Sequence, residues 1–176
     1  MNAIETAYEQ LLQPSPALIT AIAQIQGDII ILGAGGKMGP ALAKLTRQAI
    51  DQAGISKKIT AVSRFSEPGV RENLEQAGVI TLHADLLEDE QLQLLPPAEN
   101  VLYLAGTKFG TTGKEHLTWA MNTYLPGRVA EKYKDSRIVV FSTGNVYPLV
   151  PVISGGAPEA TEPEPAGEYA QSCLGR

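Results

Sequence analysis

The feature that most constrains this chain is Gly33-Ala34-Gly35-Gly36-Lys37-Met38-Gly39, which follows directly on the unbroken apolar run Ile29-Ile30-Ile31-Leu32. A short apolar run closed by a glycine turn reads as a strand buried on both faces, as central strands of parallel sheets are. Gly33, Gly36 and Gly39 fit G-x-x-G-x-x-G. In such a loop the first glycine permits a tight turn and the second lets the backbone approach a pyrophosphate. The third lets the following helix pack against the strand. The helix start adds free amides and the positive end of its dipole. Gly36-Lys37 invites a P-loop reading, but Met38 stands where Ser or Thr is required and Ile31 where the leading glycine belongs. A glycine-rich turn without a ligand is the plain alternative. Between a strand and a helix, dinucleotide binding is the stronger reading, with Gly33, Gly35, Gly36, Lys37, Met38 and Gly39 as contacts.

The rest of the chain alternates in the same style. Strands are expected at 59–62, 79–82, 101–104 and 138–141, and helices at 37–52, 68–77, 89–94, 114–134 and from about Glu168 onward. That succession implies βαβ units in a parallel, right-handed sheet. The expected architecture is an α/β, Rossmann-type doubly wound sheet of strand order 3-2-1-4-5, with ligand at the carboxyl ends of strands one and four. Residues 1–27 read as an N-terminal helical arm ahead of a dinucleotide-binding domain over 28–176. In the arm, Ile4, Ala7, Tyr8, Leu11 and Leu12 recur at helical spacing up to Pro14. Ser15-Pro16 then starts a second helix, closed by Gly27.

Composition narrows the function classes. A net charge of -5 without any dense run of Lys or Arg argues against nucleic acid and anionic membranes as partners. One cysteine, Cys173, excludes an internal disulfide and suits a reducing, cytoplasmic setting. No apolar run reaches the length of a membrane span, and the acidic start (Glu5, Glu9) is wrong for a signal peptide. His83 and His116 read as structural or solvated, and no metal-ligand spacing occurs. Trp119 reads as a packing residue. The loop 107–112, with Lys108 and nearby Lys114, reads either as a flap over cofactor or substrate phosphates or as a plain turn.

The end of the second strand bears on the cofactor. An NAD site places Asp or Glu there for the ribose 2′-hydroxyl, whereas a 2′-phosphate requires a cation. This chain has Ser63-Arg64 and no acid before Glu67, which favours NADP over NAD.

Further residues fall in a familiar order. Asp85-Leu86 follows the third strand, Leu104-Ala105-Gly106 ends the fourth, and Asn122 lies in the next helix. Phe141-Ser142-Thr143-Gly144-Asn145-Val146-Tyr147-Pro148 fits S-[ST]-x-x-V-Y-G except at its last position. Thr161-Glu162-Pro163-Glu164-Pro165 then leads to Tyr169-Ala170-Gln171-Ser172-Cys173. From Asp28 onward the chain resembles the extended short-chain dehydrogenase/reductases, the NAD(P)-dependent epimerase/dehydratase group. The resemblance implies cofactor contacts at Asp85, Leu86, Ala105, Gly106 and Thr107, and a structural role for Asn122. It puts Thr143 and Tyr169 at the catalytic Ser/Thr and Tyr positions, Tyr as general acid/base.

It implies an epimerase/dehydratase or reductase that moves hydride between nicotinamide and a sugar or nucleotide-sugar substrate, with a homodimer as the full-length state. The chain departs from the pattern at Cys173, where the family carries a Lys that lowers the Tyr pKa; a free Tyr is a poor base at neutral pH. A non-catalytic nucleotide sensor that has lost its Lys is therefore the alternative. Cys173 itself reads as a small helical residue or, less simply, as a nucleophile. The motif register also implies a C-terminal substrate-binding portion beyond Arg176. On that reading, residues 138–141 form an apolar sheet edge, and the polypeptide as given is expected to be inactive.

Overall fold

The computed structural model of the chain describes residues 6, 7 and 10–176. Ile4 and Tyr8 of the first expected helix lie outside the described residues. Helix α1 (Pro16–Gln24) begins as its sequence dictates: the Ser15 side chain accepts a hydrogen bond from the Leu18 amide at 3.2 Å, and Pro16 occupies the first turn. Its last cap is Ile25, in extended conformation, so Gly27 (φ +83°) redirects the chain two residues later rather than capping the helix.

Five strands follow: β1 (Ile29–Leu32), β2 (Ile59–Ser63), β3 (Ile80–His83), β4 (Asn100–Tyr103) and β5 (Arg137–Val140). They pair in parallel in the order β3-β2-β1-β4-β5. Ile29 lies opposite both Ile59 and Asn100, and Leu32 opposite Val62 and Tyr103. Alternate residues of a strand face opposite sides, and both sides are covered here. Ile29, Ile31 and Ala61 pack with Ala43, Ile50 and Leu74; Ile30, Leu32, Val62 and Tyr103 pack with Leu92, Leu125 and Val129. All four residues of β1 are consequently buried. Ile22 of α1 belongs to the first of these clusters.

The covering helices are α2 (Gly39–Gln52), α3 (Val70–Gln76), α4 (Asp89–Leu94), α5 (Glu115–Trp119), α6 (Leu125–Lys132) and α7 (Gly167–Gly175). Strands β4 and β5 begin at polar residues that an apolar-run reading leaves out. Asn100 Nδ2 donates to the Gln26 and Asp28 carbonyls, and Arg137 Nε donates to Asn100 Oδ1 at 3.0 Å. Those bonds satisfy the buried polar groups and let both strands start one residue early.

Residues 114–134 do not form one regular helix. A π-helical turn (Ala120–Tyr124) separates α5 from α6, with the Leu125 amide donating to the Ala120 carbonyl, five residues back. Pro126 is the physical reason: it has no amide hydrogen to give the carbonyl four residues earlier, that of Asn122, and its ring crowds that position. The carbonyl so released accepts a different donor, Arg176 Nε, at 3.2 Å.

β5 forms an edge of the sheet, with Val139 and Val140 exposed. The chain then runs through two 3-10 turns, Gly144–Val146 and Val152–Ser154, before α7. Among the described residues no helix is long and apolar enough to cross a membrane.

Candidate functional site

Sheet winding reverses between β1 and β4, so the loops leaving their carboxyl ends diverge and open a crevice. The cleft there has two adjoining parts, of about 310 and 290 Å³, which share Gly33, Gly36, Leu104 and Gly106. The glycine loop forms its floor. Gly33 has φ +86°, which favours glycine, and its amide and that of Ala34 both donate to the Val62 carbonyl. A Cβ on Gly39 would stand 2.2 Å from the Ala34 carbonyl oxygen, so glycine is what lets α2 start directly against the loop. Gly36 is different: a Cβ there would meet only the Gly33 carbonyl, at an ordinary 3.5 Å. Its open side faces the cleft, as a backbone cradle for phosphate needs.

The first part is lined by Gly33, Gly35, Gly36, Ser63, Arg64, Glu67, Asp85, Leu86 and Ala105, with Ser66 and Met121 beside them. Arg64 Nη1 lies 3.6 Å from Asp85 Oδ2, and both side chains are partly solvent-exposed. Asp85 is fixed in turn: its Oδ1 accepts from the Leu87 amide at 3.0 Å, and its own amide donates to Gln91. The second part is lined by Lys37, Met38, Gly39, Gly106, Thr107, Lys108, Phe141, Ser142, Tyr169 and Arg176. Every cofactor contact expected from sequence thus borders the cleft. Of the two expected catalytic residues, Tyr169 borders it and Thr143 does not. The Thr143 hydroxyl instead caps the 3-10 turn, accepting from the Asn145 amide at 3.2 Å; of the adjacent pair it is Ser142 that borders the cleft.

Asn122 ties the cleft wall together. It is fully buried, its Nδ2 donates to the Thr107 carbonyl and Ser172 Oγ, and its Oδ1 accepts from the Thr107 amide and Arg176 Nη2. Ser172 is buried on α7, three residues after Tyr169, so one amide links the β4 loop, the π turn and the tyrosine helix. Trp119, expected as a packing residue, is exposed and bridges the same junction, its Nε1 donating to Glu168 at 2.5 Å. Cys173 is buried and absent from the cleft lining, the placement of a small helical residue.

Two further cations border the cleft: Lys108, on the loop read either as a flap over phosphates or as a plain turn, and Arg176, which was not legible as a site residue. Lys108 Nζ sits 5.2 Å from the Tyr169 ring centroid and 5.3 Å from that of Phe109. Arg176 donates to the Phe141 carbonyl at 2.7 Å, to the Asn122 carbonyl and to Asn122 Oδ1, with its guanidinium 5.8 Å from the Tyr103 ring centroid. Pro126, a helix breaker inside an expected helix, was the available signal for the freed carbonyl that Arg176 uses. Among the described residues no group of His, Cys, Asp and Glu is placed to hold a metal ion.

No family model matches the chain, and no curated protein matches it in sequence. Solved structures do match. UDP-glucuronic acid 4-epimerase from Bacillus cereus, in complex with NAD, aligns at TM-score 0.59 and 18% identity over 84% of this chain and 49% of that one. UDP-N-acetylglucosamine 4-epimerase from Methanobrevibacter ruminantium aligns at TM-score 0.65 and 18% identity, over 85% and 47%. ADP-L-glycero-D-manno-heptose-6-epimerase from Helicobacter pylori aligns at TM-score 0.65 and 16% identity, over 84% and 48%. The chain has the Rossmann-type fold of these epimerases. It spans about half the length of the structures it matches. Within that fold, β1, the glycine loop and the start of α2 form the crevice, and α7 brings Tyr169 to its far end.

Proposed function

We propose that this chain is the NAD(P)-binding part of a protein of the extended short-chain dehydrogenase/reductase type, acting on a sugar or nucleotide-sugar substrate. The observation that carries the reading is the union, in one cleft, of the glycine loop at the start of α2 with Tyr169 on α7. Residues Gly33, Gly36 and Gly39 with Lys37 would hold the pyrophosphate, and Asp85 and Leu86 the adenine side. Thr107, Tyr169 and Ser142 would border the nicotinamide. Bound there, the nicotinamide supplies a hydride donor or acceptor. The chain's own part is to orient the substrate oxygen at the Tyr169 hydroxyl, which gives or takes a proton. The epimerases of matching fold support the substrate class by analogy of fold.

NADP is the favoured cofactor. β2 ends in Ser63 and leads to Arg64, whose side chain is about two-thirds exposed at the cleft border. A 2′-phosphate placed there would exchange the Asp85 partner of Arg64 for its own charge.

The reading is tested on the protein that contains this part, mixed with NADP or NAD and a panel of UDP- and ADP-sugars, by following reduced nicotinamide by absorbance together with sugar isomerisation. Substrate-dependent turnover that is lost in Tyr169→Phe is the expected result. Nucleotide binding with no chemistry on any panel member would overturn the enzyme reading and leave a nucleotide sensor.

A further inference from the structure

The two ends of the cleft differ sharply in charge. The end at Asp85 carries one cation, Arg64, and two carboxylates, Glu67 and Asp85. The end at Tyr169 carries the side chains of Lys37, Lys108 and Arg176 and no Asp or Glu. This concentration of positive charge stands out on a chain whose net charge is -5. Among the described residues no acid lies within ion-pair distance of any of the three.

Each cation is set in place by something other than a counter-ion. Lys37 rides on the glycine loop beside the start of α2, where a dinucleotide's own phosphates would meet it. Lys108 stacks between the Phe109 and Tyr169 rings. Arg176 is held by three neutral acceptors: the Phe141 carbonyl, the Asn122 side chain, and the Asn122 carbonyl that Pro126 leaves without its helical partner. Those bonds use three of the five guanidinium N–H groups, so donors remain for a ligand. An oxidised nicotinamide at this end would add a further positive charge. The cluster therefore needs an anion that the cofactor's pyrophosphate, lying at the glycine loop, does not supply at Lys108 and Arg176.

We infer that Lys108 and Arg176 form a receptor for an anionic group of the substrate, a carboxylate or a phosphate, held next to the carbon that faces Tyr169. The inference rests on the nucleotide reading above and narrows its substrate to one that carries an anionic group beside the reacting carbon. Lys108 comes from the loop after β4 and Arg176 follows α7, so the receptor closes only when both elements are docked on Asn122. Recognition at Arg176 is directional, through its remaining N–H groups, whereas Lys108 acts as a point charge.

The test is a calorimetric titration of the whole chain with malonate, with inorganic pyrophosphate and with neutral malonamide, each with and without saturating NADPH. Malonate or pyrophosphate should bind alongside NADPH and malonamide should not; which anion binds better separates a carboxylate from a phosphate source. Arg176→Gln and Lys108→Gln should each weaken that anion at least about tenfold, and Arg176→Lys should weaken it less than Arg176→Gln does, without restoring the native affinity. Lys108 is exposed and outside the core, so its variant remains informative if Arg176→Gln misfolds. Anion binding only in the absence of NADPH would assign the cations to the cofactor's phosphates and overturn the inference. Anion binding that ignores both charge removals, or no anion binding beside bound NADPH, would overturn it too. Failure of NADPH and NADH themselves to bind would instead overturn the nucleotide reading, and this inference with it.

Discussion

At the scale of single residues, Asn122 and Arg64 bear the most. The Asn122 amide uses both its oxygen and its nitrogen, buried, between the β4 loop and α7. Asn122→Ala removes the side-chain partner of the Thr107 amide and carbonyl and one bond each from Ser172 and Arg176, a loss of about 2–3 kcal/mol in a urea denaturation series. Arg64→Ala should lower NADPH affinity several-fold and leave NADH affinity nearly unchanged; an unaltered preference would remove the 2′-phosphate argument. Both residues were legible from sequence, Asn122 through the resemblance to the extended short-chain dehydrogenase/reductases and Arg64 by its place after the second strand. The Asp85 partner of Arg64 was not legible as such, because strand order sets β2 beside β3 but not the direction in which the side chains leaving their ends point. Arg176 was invisible for a similar reason: its place is defined by a carbonyl released by Pro126, 50 residues earlier in the chain.

At the scale of elements, α2 depends on its first residue. A Gly39→Ala side chain would collide with backbone, not with a flexible tip, so the helix must shift from the loop. We expect a loss of about 1–3 kcal/mol by denaturation, with nucleotide affinity falling with it. The end of α6 carries a pH signature. Tyr133 is buried beside α4 and donates to the Pro96 carbonyl at 3.0 Å; burial pushes its phenol up to about 12. A raised folded-state pKa means the stabilisation is whole below about pH 10, where an unfolded tyrosine ionises, and is lost as pH rises through about 12. Tyr133→Phe should therefore flatten the alkaline decline of thermal stability relative to the native chain across that window; an identical decline in both would refute the assignment. Element type and order were readable because apolar runs and glycine punctuation are local. Boundaries at Asn100 and Arg137 were not, since hydrogen bonds between distant segments decide them; the π turn had a local signal in Pro126, which a reading by apolar periodicity passes over.

At the scale of the whole molecule, the glycine loop constrained the fold because one strand buried on both faces requires strands and helices on either side of it. The order β3-β2-β1-β4-β5 follows from right-handed crossovers and leaves its crevice between β1 and β4. The cleft inherits an uneven charge, carboxylates at one end and cations at the other, that no single segment of sequence displays. What joins these scales is the claim that the cleft is a nicotinamide dinucleotide site. Trp119, beside α7, allows that claim to be measured by energy transfer from its indole to a bound dihydronicotinamide. Titrating the chain with NADPH and NADH should give saturable, equimolar transfer that unlabelled NADP displaces and that Gly39→Ala abolishes. Transfer that never saturates, or that NADP does not displace, would contradict the account.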